Sequence, residues 1–255
     1  MEKVWFKNSL GQNLAGCVHK VQGRKEMGPT VVLCHGMMSS KEGRKQTALA
    51  DDLCVNGFSV LRFDFSFCGE SEGQFGEITF KQEIDDLAHA VKWVQRNGAY
   101  PIGLVGSSMG GAVAVLYSQH DPAIKTLVAI AAVAHPLRIA RQIEALEDHV
   151  VRWKEEGYQL GAEGSVGPGF LEDAQHQDVI TAVSKIKAPL LILHGGEDEI
   201  VPVEEAQDLF DNASGIRELK IIAGADHRFT RQEDLEWLLA ATRDWFKKHL
   251  SFEGE

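Results

Sequence analysis

Cysteine is scarce in this chain of 255 residues: Cys17, Cys34, Cys54 and Cys68 all fall in the first third. None stands at C-x-x-C spacing and Cys34 lies in an apolar run, which argues against a disulfide scaffold and reads as free, buried thiols. Positive charge is also in short supply, with 26 Lys and Arg against 37 Asp and Glu and a formal charge of −11. No run of basic residues offsets that balance, so nucleic acid is not an expected partner and a phosphate-binding role is disfavoured. No apolar stretch reaches about eighteen residues, and the start Met1-Glu2-Lys3-Val4-Trp5-Phe6 has no long apolar segment of a secretory signal. The expectation is a cytoplasmic protein with no membrane partner. The histidines form no H-E-x-x-H and have no cysteine at zinc spacing, so neither a metal nor another cofactor is expected.

The chain does have enough apolar residues, 44%, for one substantial core, and residues 1–255 read as a single domain. Residues 4–7 and 13–20 alternate as an antiparallel pair around Leu10-Gly11. Residues 31–34 then begin the strands that read as buried on both faces, and the catalytic sheet is expected to start there. Helical segments at 41–56 and 80–96 end at Asn56-Gly57 and Asn97-Gly98, and short apolar strands follow each. This alternation predicts an α/β fold, with a mostly parallel twisted sheet flanked by helices.

One turn stands out. Gly106-Ser107-Ser108-Met109-Gly110 lies between the apolar strand 101–105 and a segment suited to a buried helix. G-x-S-x-G in that context is a nucleophile elbow, with Ser108 on a strained turn above the sheet and Ser107 directed away from the cleft. Two later strand ends supply partners. Leu190-Leu191-Ile192-Leu193 runs into a loop containing Glu197, Asp198 and Glu199, and residues 218–222 run into Ala223-Gly224-Ala225-Asp226-His227. A serine hydroxyl needs a base to remove its proton during attack, and a carboxylate to orient that base. His227 fits the base, and four carboxylates compete for the orienting role. Asp226 is disfavoured because it adjoins His227 in the chain.

The order serine, acid, histidine resembles the α/β-hydrolase superfamily, and within it the serine esterases of the cinnamoyl/feruloyl-esterase and serine-aminopeptidase-like groups. The resemblance spans residues 31–246 and includes Leu33-Cys34-His35-Gly36-Met37-Met38, similar to the oxyanion-loop His-Gly motif. It also includes Asp64-Phe65-Ser66-Phe67-Cys68-Gly69-Glu70-Ser71, similar to D-x-x-G-x-G-x-S, with Phe67 replacing the first glycine and Cys68 the usual histidine. By this resemblance the acid is Asp198, in H-G-x-x-D followed by Val201-Pro202, and the oxyanion donors are the backbone N–H groups of Met37 and Met109. His35 and His194 are expected to hold loops.

Residues 133–183 interrupt the alternation after the sixth strand. Leu137, Ala140, Ile143, Leu146, Val150 and Trp153 recur at helical spacing, and the glycine-rich stretch 161–169 follows as a loop. The resemblance implies a small cap insertion here, with Met38, Ile143 and Leu146 as substrate-binding candidates. The implied function is hydrolysis of a small-molecule carboxylic ester through an acyl-enzyme on Ser108. An amidase or peptidase, a thioesterase, and a catalytically idle binding module on the same scaffold are the alternatives.

Overall fold

A computed structural model gives the fold and describes residues 1–145, 158–159 and 165–250. Strands β1 (Glu2–Lys7) and β2 (Asn13–His19) pair antiparallel, and β2 runs on to pair antiparallel with β4 (Ser59–Phe63). The remaining pairs are parallel: β4 with β3 (Gly28–Cys34), β3 with β5 (Ala99–Ser107), and β5 with β6 (Ile124–Ile130). A short pair, β7 (Tyr158–Gln159) and β8 (Ser165–Val166), stands apart. β9 (Leu190–Gly195) and β10 (Arg217–Ile222) complete one sheet of eight strands in the order β1-β2-β4-β3-β5-β6-β9-β10. This is the expected mostly parallel α/β architecture. The sheet is larger than the expectation in one respect, because the N-terminal hairpin joins it through the β2–β4 pairing instead of standing beside it.

The central strands are buried on both faces, and their side chains divide with period two. Val31 and Leu33 enter one core with Val105, Val128, Leu191 and Leu193, while Val32 and Cys34 enter the other with Leu104, Leu127, Leu190 and Ile192. Helix α1 (Arg44–Val55) covers the first face. Helices α2 (Phe80–Arg96) and α3 (Met109–Ser118) cover the second. Thr79 starts α2 by accepting the Gln82 amide, a cap whose loss costs about 1 kcal/mol in typical helices.

Helix α4 (Pro136–Ala145) leaves β6, and α5 (Gly169–Ala174) and α6 (Val179–Lys185) return the chain to β9. Helix α7 (Val203–Asn212) follows β9, and α8 (Gln232–His249) docks beside α1 on the first face. The stretch expected as a loop at 161–169 differs where it is described. Ser165 and Val166 pair with Gln159 and Tyr158, and Gly169 opens α5. Each strand is only two residues long, too short for period-two alternation to mark it in the sequence. Among the described residues, no helix is long and apolar enough to cross a membrane.

Candidate active site

All the parallel strands end on one edge, which gathers their following loops. In register, Cys34 opposes Gly106, Ser107 opposes Ile130, and Ile222 opposes Gly195. The turn after β5 carries Ser108 at φ 55° and ψ −122°, a left-handed conformation that costs a non-glycine residue about 1–3 kcal/mol. The fold holds it there: Ser108 N–H donates to the Ile130 carbonyl at 2.9 Å, and the Ser108 carbonyl accepts from Gly111 at 2.9 Å. The flanking glycines are required by close approach. A Cβ on Gly106 would lie 2.3 Å from the Gly110 carbonyl oxygen, and one on Gly110 would lie 2.2 Å from the His35 carbonyl oxygen. The elbow is thus pressed against the loop after β3.

In that loop the His35 ring has a defined proton. Its Nε2 accepts the Phe65 N–H at 3.1 Å, leaving Nδ1 to donate to the Gly36 carbonyl at 2.8 Å. Burial pushes this imidazole below its usual range. His35 therefore holds the loop in which Met37 follows Gly36. The backbone N–H groups of Met37 and Met109 have no acceptor among the described residues, and both residues line the cavity above Ser108.

The loop after β9 presents Asp198 and the loop after β10 presents His227, with His227 Nδ1 2.7 Å from Asp198 Oδ2. The Asp198 carboxylate is fully buried, and its other oxygen accepts from the N–H groups of Ile200 at 2.9 Å and Val201 at 2.8 Å. Burial opposes its ionisation, but the hydrogen bonds from His194 and His227 and from the Val201 amide outweigh that and hold the carboxyl below the usual carboxylate range. Because Asp198 accepts at Nδ1, the His227 proton resides there and Nε2 is left as a basic nitrogen.

The other carboxylates go elsewhere. Asp226 accepts the Thr230 amide at 2.8 Å, Glu199 faces the His227 backbone N–H at 3.4 Å, and Glu197 is exposed. His194, four residues before Asp198, has more than a loop-holding position. Its Nε2 sits 2.9 Å from the Val201 carbonyl and 3.2 Å from Asp198 Oδ2, so it supports the acid directly. The H-G-x-x-D spacing is the sequence signal for that contact.

Ser108 and His227 line one cavity of about 950 Å³, and Ser107 reaches its wall from a buried position. Met37, Met38, Phe80, Met109, Val133, Ile139 and Phe170 supply apolar lining. Phe80 and Phe170 stack with ring centroids 5.6 Å apart, joining α2 to α5. The segment 133–183 therefore reaches the cavity through Val133, Ile139 and Phe170, none of which belongs to the helical stripe read from sequence. Ile143 falls on α4, but its side chain, like all of Leu146, lies outside the described residues. Arg44, Lys45 and Arg228 also line the cavity, and the linear sequence does not bring them together.

The turn after β4 keeps its motif's conformation without its first glycine. Phe67 sits at φ 74° with its side chain buried, and its N–H donates to the Glu72 carbonyl at 3.0 Å. Asp64 accepts the Lys41 amide at 2.6 Å, the Lys41 ammonium at 2.8 Å and the Glu70 amide at 2.9 Å, which ties this turn to the chain entering α1.

Comparison with known proteins gives a family and a fold. The family described as serine aminopeptidase, S33 matches residues 25–167 and 169–234. Mouse palmitoyl-protein thioesterase ABHD10, mitochondrial, is 25% identical over 233 residues, covering 86% of this chain and 76% of that protein. An uncharacterized 31.7 kDa protein of Escherichia coli, from the traX-finO intergenic region, is 25% identical over 263 residues, covering 87% of this chain and 91% of that one. The structure of Est1E from Butyrivibrio proteoclasticus with bound ferulic acid superposes with a TM-score of 0.87 at 23% identity, over 96% of this chain and 98% of that one. The structure of mouse alpha/beta hydrolase domain-containing protein 10 gives a TM-score of 0.80 at 24% identity, over 97% and 99%.

Proposed function

The chain belongs to the serine aminopeptidase S33 family of α/β-hydrolases, and on that premise we propose that it is a serine hydrolase of carboxylic esters. The observation that carries the reading is the Asp198–His227 hydrogen bond of 2.7 Å on the wall of the cavity that also exposes the elbow serine, Ser108. Ser108 Oγ attacks the ester carbonyl carbon while His227 Nε2 takes its proton. Asp198 keeps the imidazole in the required tautomer and stabilises the imidazolium that results. Negative charge grows on the former carbonyl oxygen, where the N–H groups of Met37 and Met109 receive it, each such donor being worth about 2.7–4 kcal/mol. Collapse of the tetrahedral adduct breaks the bond to the leaving group, which leaves with the proton from His227. Water then repeats the sequence on the acyl-enzyme and releases the acid.

The apolar wall from α2, α4 and α5 suits the acyl group, and we assign the 133–183 segment as the cap that shapes it. The relatives described as palmitoyl-protein thioesterases support thioesters as substrates of the same acyl-enzyme chemistry. A fluorophosphonate probe tests the reading. The probe should label Ser108, and Ser108→Ala should lose both labelling and ester turnover while keeping its circular dichroism. Ser107→Ala should keep both activities. A folded wild-type protein that neither takes the label nor turns over any ester would be a binding module, and the reverse result in the two serine variants would move the nucleophile.

A further inference from the structure

The cavity has two chemically different ends, built on opposite faces of the sheet. Phe80, Met109, Val133, Ile139 and Phe170 belong to the core beneath α2 and α3. Across the elbow, Arg44 and Lys45 begin α1, and Arg228 and Thr230 lie on the loop that carries His227. The basic side chains here contrast with those of the fold that are held in ion pairs. Elsewhere, Lys41 pairs with Asp64, Arg62 with Glu42, Arg138 with Glu205, Arg231 with Asp234 and Arg243 with Asp52. Around the cavity, the Arg44 guanidinium donates, among the described residues, only to the Thr230 carbonyl at 2.7 Å and the Gln232 amide oxygen at 2.8 Å. Lys45 places its ammonium 5.1 Å from the Phe229 ring centroid, and among the described residues neither it nor Arg228 is ion-paired. The net charge of −11 concealed this cluster because Arg228 is remote in sequence from Arg44 and Lys45.

Helix electrostatics make the arrangement more telling. Arg44 and Lys45 occupy the first turn of α1, where the helix end is itself positive, with no acidic residue in that turn and no side-chain cap on Gly43. Desolvation in the wall pulls Lys45 down to about 8, with Asp198 and Asp226 opposing and Arg228 adding to the effect. Glu199, the one carboxylate on the lining among the described residues, faces the His227 backbone N–H. Like charges at a helix N-terminus beside a third cation cost stability unless an anion compensates them.

Chemistry says which part of the substrate meets this end. The imidazole that takes the Ser108 proton must later give it to the leaving atom, so the leaving group passes His227, and Arg228 is the next residue. Building on the ester hydrolase reading, we propose that the substrate joins an apolar acyl group to an alcohol or thiol leaving group bearing a carboxylate or phosphate, which Lys45, Arg228 and Arg44 receive. Ser108 Oγ bonds to the acyl carbon, the bond from that carbon to oxygen or sulfur breaks, and the anionic alcohol or thiol departs with the His227 proton.

Matched substrates test this. Octanoyl esters of para-nitrophenol and of its ring-carboxylated derivative form one pair, and octanoyl thioesters of pantetheine and phosphopantetheine form the other. Partly exposed ion pairs are worth severalfold each, so kcat/KM should favour the anionic member of at least one pair by roughly tenfold at low salt. That ratio should shrink in half-molar sodium chloride and approach unity in the Lys45→Gln/Arg228→Gln double variant, while Lys45→Arg retains it. The pair with the larger ratio identifies carboxylate or phosphate. If the wild type hydrolyses both members of each pair without preference, or with a preference indifferent to salt, the anionic assignment is overturned and the esterase reading stands. If neither member of either pair reacts and Ser108 takes no fluorophosphonate, the esterase reading fails and this assignment falls with it. The salt series needs no variant, so a double variant that fails to fold does not remove the test.

Discussion

Replacing Asp198 by asparagine should nearly abolish turnover while leaving the fold in place, and the hydrogen bonds around the carboxylate show why. Oδ1 accepts from the Ile200 and Val201 amides at 2.9 and 2.8 Å, and those two donors need an acceptor. In Asp198→Asn the carboxamide oxygen must therefore occupy that position, which turns the NH2 group toward His227 Nδ1. Nδ1 then has to accept, so the ring proton moves to Nε2, and the nitrogen that should receive the Ser108 proton already carries one. The expected loss in kcat is about four orders of magnitude, or about 5 kcal/mol in barrier height at 1.36 kcal/mol per tenfold. Turnover of a chromogenic ester at pH 7 measures it. Urea denaturation gives an independent readout. The Asp198 carboxyl is depressed in the folded protein, so its contribution to stability is present above the unfolded value near ~3.9 and is lost as pH falls through the folded one. The stability gap between wild type and variant should thus be widest near neutral pH and close in acid. A variant within about tenfold of wild type would refute the tautomer argument. Asp226→Asn is the control: its oxygen can still accept the Thr230 amide, and an equal loss there would transfer the orienting role.

Two further outcomes follow from buried groups. Phe170 is 1% exposed and stacked on Phe80, so Phe170→Ala should cost about 3–5 kcal/mol and extend the apolar end of the cavity. Across an ester panel the preferred acyl chain should lengthen, and an unchanged ranking in a folded variant would show that the 133–183 segment does not select the acyl group. Glu83 is fully buried with no partner for either carboxyl oxygen among the described residues, and burial, then the Asp86 charge, pushes its carboxyl well above the usual range. The unfolded chain loses that proton near pH ~4.3 while the folded one keeps it, so stability declines as pH rises from there toward the folded value. Glu83→Gln should remove this decline, gaining on wild type by about 1.4 kcal/mol per pH unit in urea titrations, and parallel curves for the two proteins would contradict it.

Local chemistry explains what could be read from the chain and what could not. The elbow and the two loops after β9 and β10 were legible because each follows a short apolar strand, and strands alternating with helices must end on one edge. The position of the acid needed the family motif, since Glu197, Asp198 and Glu199 are consecutive and Asp226 adjoins the base, and the contacts that single out Asp198, with His227, His194 and the Ile200 and Val201 amides, form only in the fold. Phe67 stands at the motif's first glycine position and takes a glycine-like φ of 74°, a conformation imposed by the surrounding turn that the residue type itself does not announce. The β7 and β8 strands are two residues each, too short for an alternating pattern, and the gathering of Arg44, Lys45 and Arg228 depends on contacts between distant segments, which no local pattern records.

The division of the interior into two cores has an evolutionary consequence. Strand residues divide between the two cores by face, yet α2 over one face and α1 over the other both contribute residues to the same cavity. A lineage could therefore exchange side chains at Phe80, Ile139 or Phe170 and change the acid it releases without disturbing the packing beneath Arg44 and Lys45. It could equally rewrite the α1 end and acquire a new alcohol or thiol. Because such changes share no packing partner, their effects should combine nearly additively, and the two halves of the substrate can be selected independently on one unaltered catalytic edge.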